Sequence, residues 1–395
     1  MISSAGTGNI WSEVWREQGI ATAKKIFSHR LFIDSYPVFK KHFPADLTSV
    51  LEVAAGSGRY GLKLAADYQS AQVILTDILP ASVELMSNLA EELKLKNVSA
   101  KLADANSLPF NDNSFDLVLA DCLIQHLDKP EPILKELVRV LRPGGKLILS
   151  GVNYWNFHTL FKTWQKWWGG EYEYGLEKSF ARHGWKKLLK NYPVAITTID
   201  GAAVSYGLYR LKKYSSIFSW LGKIVNRLVK MVDTLTNRLI SRYFGFELIV
   251  VAEKIKLETN YSELINLQLV PGGDIGRLII AESERHIPSP IKRVYFINDV
   301  SNEQVVRGGH AHKEIDQVVF CLQGQVQLNL DDGVKQQSLI LNSPGWGVRV
   351  GPKLWHTLSH FTPHTTVAVI ASDFYREDDY LRSRESWQDF LRDHA

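Results

Sequence analysis

The sequence predicts two folds in series: an α/β domain built on a parallel, doubly wound sheet, then an all-β domain of the barrel or sandwich type. Three observations carry this. Between about residues 45 and 155, short apolar runs alternate with amphipathic stretches of helical spacing, the pattern of parallel strands crossed by helices. From residue 264 the helical stretches stop, and short β-rich segments are punctuated by Gly, Pro, Asn and Asp, as in a barrel or sandwich. The polar stretch "KIKLETNYSE" lies between them and places the boundary near 255–262. The domains are therefore expected over 1–255 and 262–395.

In chain order, residues 1 to about 45 read as helical and aromatic-rich, with "IATAKKIFSHRLFIDSYPVFKKHF" apolar at helical spacing. "TSVLEVAAGSGRYGLKLAADY" is strand, Gly-rich turn and helix. "AQVILTDI" is a strand, "PASVELMSNLAEELKL" a helix, and "VSAKLADA" a strand. "SFDLVLADCLIQHL" is a strand running into a loop, followed by the helix "PEPILKELVRVL", the turn "RPGG" and the strand "KLILSGVN". Residues 152–245 read as an aromatic-rich insert and a basic amphipathic helix, closed by the strand "FELIVVAEK". That helix puts Leu221, Ile224, Val225, Leu228, Val232 and Leu235 on one face. Lys223, Arg227, Lys230 and Arg238 lie elsewhere on it. Such a helix can lie on an anionic membrane; packing on its own domain with a solvated basic face is the reading preferred from sequence.

Composition narrows the class. At 395 residues the chain exceeds one ordinary core. A net charge of +4 asks for no nucleic-acid partner. Cys122 and Cys321 are the only cysteines and are far apart, which fits a reducing compartment and gives no disulfide framework. The N-terminal "MISSAGTGNIWSEVWREQG" lacks a basic segment followed by an apolar core, so no signal peptide is expected. No apolar run approaches the length of a membrane span. A cytoplasmic protein is the expectation.

The first candidate site lies at the carboxyl edge of the parallel sheet. Glu52 ends the first strand, and Gly56 and Gly58 occupy the turn into a helix, where glycine lets backbone approach a ligand. Asp77 ends the next strand about 20 residues on, the position of a carboxylate that grips ribose hydroxyls. Asp104 ends the third. Three acidic residues at one edge disfavour a polyphosphate and suit a nucleoside carrying positive charge. The order "LEVAAGSG", "LTD", "ADA", "SFDLVLA", "LRPGGKLILS" resembles the class I S-adenosylmethionine-dependent methyltransferases, a Rossmann-like fold, over roughly residues 45–155. The resemblance implies S-adenosylmethionine as cofactor. Glu52, Gly56 and Gly58 would hold its methionine part, Asp77 the ribose, and Asp104 with Ala105 the adenine. Ala54 and Ala55 stand where Gly and Cys are common, and Glu52 where Asp is. His126, just past the fourth strand, is placed as a base or acceptor contact.

The second candidate site is "RGGHAHK". His310 and His312 are two apart in a strand-like run, so their imidazoles share one face. Such a pair is a metal clamp, a proton-transfer pair or wet surface polarity. A metal clamp would draw on His356 as third ligand. Gln317 occupies the place of the expected acid, with Asp316 beside it, and a neutral amide is a poor ligand for a hard cation. Proton transfer between neighbouring carbons is the other use of two imidazoles. The segments "IPSPIKRVYFI", "RGGHAHK", "DQVVFCLQGQVQLNLDDG", "LNSPGWGVRVGPKLWH" and "ASDFYREDDYLR" resemble the WxcM-like sugar 3,4-ketoisomerases, which are cupins, over about residues 262–391. The resemblance implies isomerisation of a dTDP-4-keto-6-deoxyhexose without metal. His310 and His312 would be acid and base, Arg293, Tyr295 and Arg307 substrate contacts, and the cupin domain the seat of a homodimer. Gly276 is retained while its neighbouring arginine has moved, and Val348–Arg349 replace Leu-Tyr; such changes fit an altered pocket or a cupin that only binds the nucleotide sugar. The combined expectation is a bifunctional sugar-modifying enzyme, with no nucleic-acid partner and no integral membrane segment.

Overall fold

The computed structural model describes residues 23–167, 177–210, 215–271 and 276–394. Expectations for residues 1–22, for the tail of the aromatic insert and for 272–275 lie outside that range. Two compact units divide the chain. One runs to Lys187 and resumes over Val194–Lys254, while the other joins Leu188–Pro193 to the chain from Ile255 onward.

In the first unit the elements follow as α1 (Ala23–Phe27), α2 (Arg30–Lys40), β1 (Ser49–Val53), α3 (Arg59–Asp67), β2 (Gln72–Asp77), α4 (Pro80–Glu92), β3 (Val98–Leu102), β4 (Phe115–Ala120), α5 (Glu131–Val140) and β5 (Leu141–Val152). Next come α6 (Phe157–Trp167), α7 (Arg182–Leu189), β6 (Val194–Ala202), α8 (Tyr206–Arg210), α9 (Ser216–Leu235), α10 (Leu239–Phe244) and β7 (Glu247–Lys254). The sheet order is β3-β2-β1-β4-β5-β7-β6. β1 to β5 pair in parallel, whereas β7 runs antiparallel to both β5 and β6. The run "FELIVVAEK" thus does supply a strand, wedged between β5 and an edge strand that the insert hides. β4 is buried at every position and β7 nearly so, as strands covered on both faces must be.

Two local expectations are corrected. "RPGG" is not a free turn: extended backbone starts at Leu141, Phe115 pairs with Leu141, and the register then jumps to Leu117–Lys146. Gly144, at φ 77°, absorbs the irregularity. The basic helix does not carry Arg238, because it ends at Leu235 and Asn237 and Arg238 take positive φ, dividing α9 from α10. Nor does its six-residue apolar face all pack inward. Leu221, Val225 and Val232 are half-buried, whereas Ile224, Leu228 and Leu235 are exposed.

Lys254 closes this unit from below. Its ammonium donates to the carbonyls of Val138 and Leu141, both at 2.7 Å, and to Asn113 Oδ1 at 2.9 Å. Burial pulls its pKa down to about 8. Lys254→Ala strands two buried carbonyls and is expected to cost about 1–3 kcal/mol, seen as a lower midpoint in thermal unfolding.

The second unit contains β8 (Ser262–Asn266), β9 (Gln268–Pro271), β10 (Arg277–Ile280), β11 (Arg293–Ile297), β12 (Arg307–His312) and β13 (Gln317–Gln323). β14 (Val326–Asp331), β15 (Gln336–Leu341), β16 (Trp346–Val350), β17 (Trp355–Ser359), β18 (Thr366–Ala371), β19 (Tyr380–Leu381) and α11 (Arg384–Asp393) complete it. Two five-stranded sheets form, β11-β18-β13-β16-β8 and β15-β14-β17-β12-β19, all antiparallel. Their inward residues, among them Val319, Cys321, Leu328, Val348, Leu358 and Val369, make one apolar core. This is the double-sheet jelly roll of a cupin. α11, which strand periodicity alone does not suggest, buries Trp387 against Trp355 and Leu381.

Candidate active sites

β12 carries the histidine pair, and its glycines shape the approach. Gly308 and Gly309 sit at φ 77° and 73°, and the pairing with β17 is bulged between Gly308 and His310. A bulge re-aims the side chains that follow. The His310 and His312 rings stand 5.1 Å apart, centre to centre, and His356 comes within 4.6 Å of His310 from the facing position of β17. Tyr380 of β19 lies 4.9 Å from His310 and 4.4 Å from His312.

The two imidazoles have different settings. His312 is buried, with Nδ1 2.7 Å from Asp379 Oδ2 and Nε2 3.0 Å from Gln317 Nε2. The acceptor-only carboxylate fixes the proton on Nδ1, so Nε2 carries the lone pair and takes the amide's hydrogen. Asp379 is itself steadied by the Glu314 N–H, 2.9 Å from Oδ1. His310 Nε2 is buried with no hydrogen-bond partner. Burial, then the neighbouring His312, lowers the His310 pKa to about 4. Burial also lowers His312 against the opposing pull of Asp379, and His356 falls well below its ordinary value for the same reason. The pair is neutral at pH 7.

The remaining residues anticipated for this site fall as follows. The Arg293 guanidinium stacks over Tyr295 at 5.3 Å, and its Nε and Nη2 are buried without a partner. Burial pushes the Tyr295 pKa up to about 12. Arg307 starts β12 opposite Leu358 and is exposed. Asp316 turns away from the imidazoles and pairs with Arg349 at 2.8 Å, so that replacement brings its own counter-charge. Lys313 points outward to the Asp378 carbonyl. Sequence reasoning missed Asp379 and Tyr380; "YREDDYLR" contains both, but nothing in its spacing shows that β19 lies beside β12.

At the carboxyl edge of β1 the turn is built tightly. Gly58 adopts φ 67°, and a Cβ there would lie 2.9 Å from Leu75 Cδ1 and Met86 Cγ. The Gly56 N–H donates to Asp77 Oδ2 at 2.9 Å, and Leu79 N–H to its Oδ1 at 3.0 Å. Glu52 lies beneath the turn: it is 1% exposed and accepts from the Gly61 N–H at 2.7 Å. Burial raises its pKa to about 8. In this arrangement one Glu52 oxygen braces the turn. Asp104 is exposed, with Oδ1 holding the backbone and side-chain N–H groups of Asn106, and Ala105 is half-buried beside it. Ile78 and Leu102, exposed at the ends of β2 and β3, flank this edge; sequence reasoning passed over both.

Beyond β4 the chain strains into φ 52° at Cys122. Asp121, Cys122 and Glu247 offer ligand atoms within 4.8 Å of one another, the only such group among the described residues. Ser150 Oγ donates to Asp121 Oδ1, and Ser35 Oγ to Glu247 Oε2, each at 2.6 Å. Burial and the adjacent Asp121 push Glu247 well above the carboxylate range. His126 follows on a single 3-10 turn, Ile124–His126, with Nε2 3.2 Å from Gln125 Nε2.

Comparison with known proteins resolves the same two parts. A family model described as WxcM-like, C-terminal, matches residues 260–392, and one described as a methyltransferase domain matches 44–192. The TDP-4-oxo-6-deoxy-alpha-D-glucose-3,4-oxoisomerase of Aneurinibacillus thermoaerophilus is 41% identical over 29% of this chain and 83% of its own length. The ubiquinone/menaquinone biosynthesis C-methyltransferase of Rickettsia felis is 35% identical over 30% of this chain and 49% of its own, so the chain spans about half of that relative. Among solved structures, the sugar 3,4-ketoisomerase QdtA of Thermoanaerobacterium thermosaccharolyticum is 32% identical, with 35% of this chain and 98% of that chain covered and a TM-score of 0.34.

Proposed function

Since the chain belongs, through residues 260–392, to the WxcM-like C-terminal family, we propose that it isomerises a dTDP-4-keto-6-deoxyhexose to the 3-keto sugar and also transfers a methyl group from S-adenosylmethionine. The observation that carries the first activity is the unequal setting of the two imidazoles: one braced by a carboxylate, the other with a buried, unpartnered nitrogen.

Isomerisation breaks the C3–H bond, places its electrons in a C3=C4 enediol as O4 gains a proton, then returns a proton to C4 as O3 loses its own. One group must serve carbon and another the oxygens. His312 suits the carbon, because the Asp379 carboxylate stabilises the imidazolium formed when Nε2, released by the Gln317 amide as substrate enters, takes the C3 proton. His310 Nε2 suits the oxygens, and the unpaired Arg293 nitrogens suit an anion, either the enediolate or the diphosphate. Isomerisation by the EDTA-treated protein in D2O, with deuterium entering the sugar, tests this reading; loss of turnover on chelation, restored by metal, would overturn it.

The pH profile is a second check. Both imidazoles are depressed, His310 to about 4, so the neutral, proton-accepting form persists below the ordinary 6.5. The acid limb of kcat/KM is therefore expected below pH 6.5; a limb at or above 6.5 contradicts it.

For the other half, S-adenosylmethionine supplies an electrophilic methyl group when bound. Gly56 and Gly58 let backbone meet it closely, Asp77 would take the ribose, Asp104 and Ala105 the adenine amino edge, and Ile78 and Leu102 the faces of the base. His126 would receive the acceptor's proton. Assembly as a homodimer through the cupin completes the proposal; the hairpin β9–β10 lies outside both larger sheets with Val270 and Leu278 exposed, apolar surface that a second copy would cover.

A further inference from the structure

α9 divides into three sectors that follow from helical spacing. Phe218, Leu221, Gly222, Val225, Val229 and Val232 form the inner, half-buried to buried sector. Ile217, Trp220, Ile224, Leu228, Met231 and Leu235 recur at steps of three and four and all stand in solvent, from 38% exposed at Ile224 to 83% at Leu235. Lys223, Arg227 and Lys230 form an exposed stripe directly alongside. The helix carries one acid, Asp233, which is buried and spent on the backbone N–H groups of Ile240 and Ser241. The adjoining α10 adds exposed Leu239, Tyr243 and Phe244. An exposed apolar stripe of this length is unusual on a domain that has already buried its core, and calls for a cover.

We infer that α9 seats the methyltransferase unit on an anionic bilayer surface. Three features select that occupant. The apolar stripe and the basic stripe are neighbours, so the first can enter the acyl boundary while the second meets lipid phosphates. Trp220 sits within the apolar stripe, where an indole favours the interface. No helix among the described residues is long and apolar enough to cross a membrane, and α9 carries too much charge to do so; it lies on the surface. A second copy of the chain is the weaker cover, since pairing this face leaves Lys223, Arg227 and Lys230 in a seam to which the helix contributes no exposed carboxylate, and lysine is disfavoured in such seams.

Sedimentation of the full chain with vesicles tests this. Wild-type protein is expected to pellet with vesicles of phosphatidylcholine and phosphatidylglycerol, weakly with phosphatidylcholine alone, and less in high salt. Affinity should fall about fivefold for each of Lys223→Gln, Arg227→Gln and Lys230→Gln, and also in L228S/M231S. Unchanged far-UV circular dichroism and an unchanged unfolding midpoint show that these variants are folded. Wild-type protein that stays in the supernatant with the anionic vesicles overturns the inference. So does pelleting unchanged in L228S/M231S, or a loss of self-association in that variant, which would make this face a contact between copies.

Discussion

His312→Asn is expected to lower sugar isomerisation by about 10²–10⁴-fold while leaving nucleotide-sugar binding measurable. The amide can stay near Gln317 and Asp379, which hold the imidazole at 3.0 and 2.7 Å, but it cannot accept a proton from carbon. Incorporation of deuterium at the sugar's C3 in D2O, followed by NMR, should disappear with turnover. Asp379→Asn should approach the same loss by a different route. The ring remains, but the amide can donate to Nδ1, moving the proton to Nε2 and removing the lone pair needed there to take the C3 proton. His310→Asn separates the roles: if His310 serves the oxygens, slow C3 exchange should outlast net isomerisation. Full activity in His312→Asn would remove the proton-transfer reading and leave the cupin as a nucleotide-sugar binding unit.

How far this site is legible in the sequence depends on the distance between its parts. His310 and His312 are two apart, and strand alternation alone puts them on one face. The same alternation correctly turns Asp316 and Lys313 away. Asp379 is 67 residues from His312, and it meets the imidazole only because β19 pairs with β12. No local pattern contains that pairing. In the first unit the glycine turn and the acids ending β2 and β3 are legible because each ends a periodic strand. Glu52 shows the limit: the sequence places it at the strand end, but only the packing of Gly61 against its carboxylate puts it under the turn. β6 is hidden inside the insert, where Thr197, Thr198 and Asp200 break the apolar pattern of its neighbours. α9 carries apolar residues around more than half its circumference, so periodicity announces a helix without choosing which stripe is covered.

Gly58→Val should abolish S-adenosylmethionine binding and leave isomerisation untouched. At φ 67° a β-branched residue is strained by about 1–3 kcal/mol. Its Cβ would also sit 2.9 Å from Leu75 Cδ1 and Met86 Cγ, overpacking worth about 1–3 kcal/mol more. Leu75 and Met86 are both buried in the apolar core of this unit, so the turn has to yield. Moving the turn pulls Gly56 off the Asp77 carboxylate and disperses the backbone that the cofactor would meet. A loss of at least about 100-fold in calorimetric affinity is expected, since roughly 2.7 kcal/mol suffices for it. Asp77→Asn serves as the gentler companion. Its single oxygen can keep one of the Gly56 and Leu79 N–H contacts while the ribose contact weakens, so a smaller loss there with a native unfolding profile ties the effect to binding. The histidine pair and its braces all come from the second unit, so isomerase turnover is expected to persist, and the unfolding profile reports folding of the first unit. If Gly58→Val still binds the cofactor normally, the glycine turn is a device of chain geometry and methyl transfer loses its site.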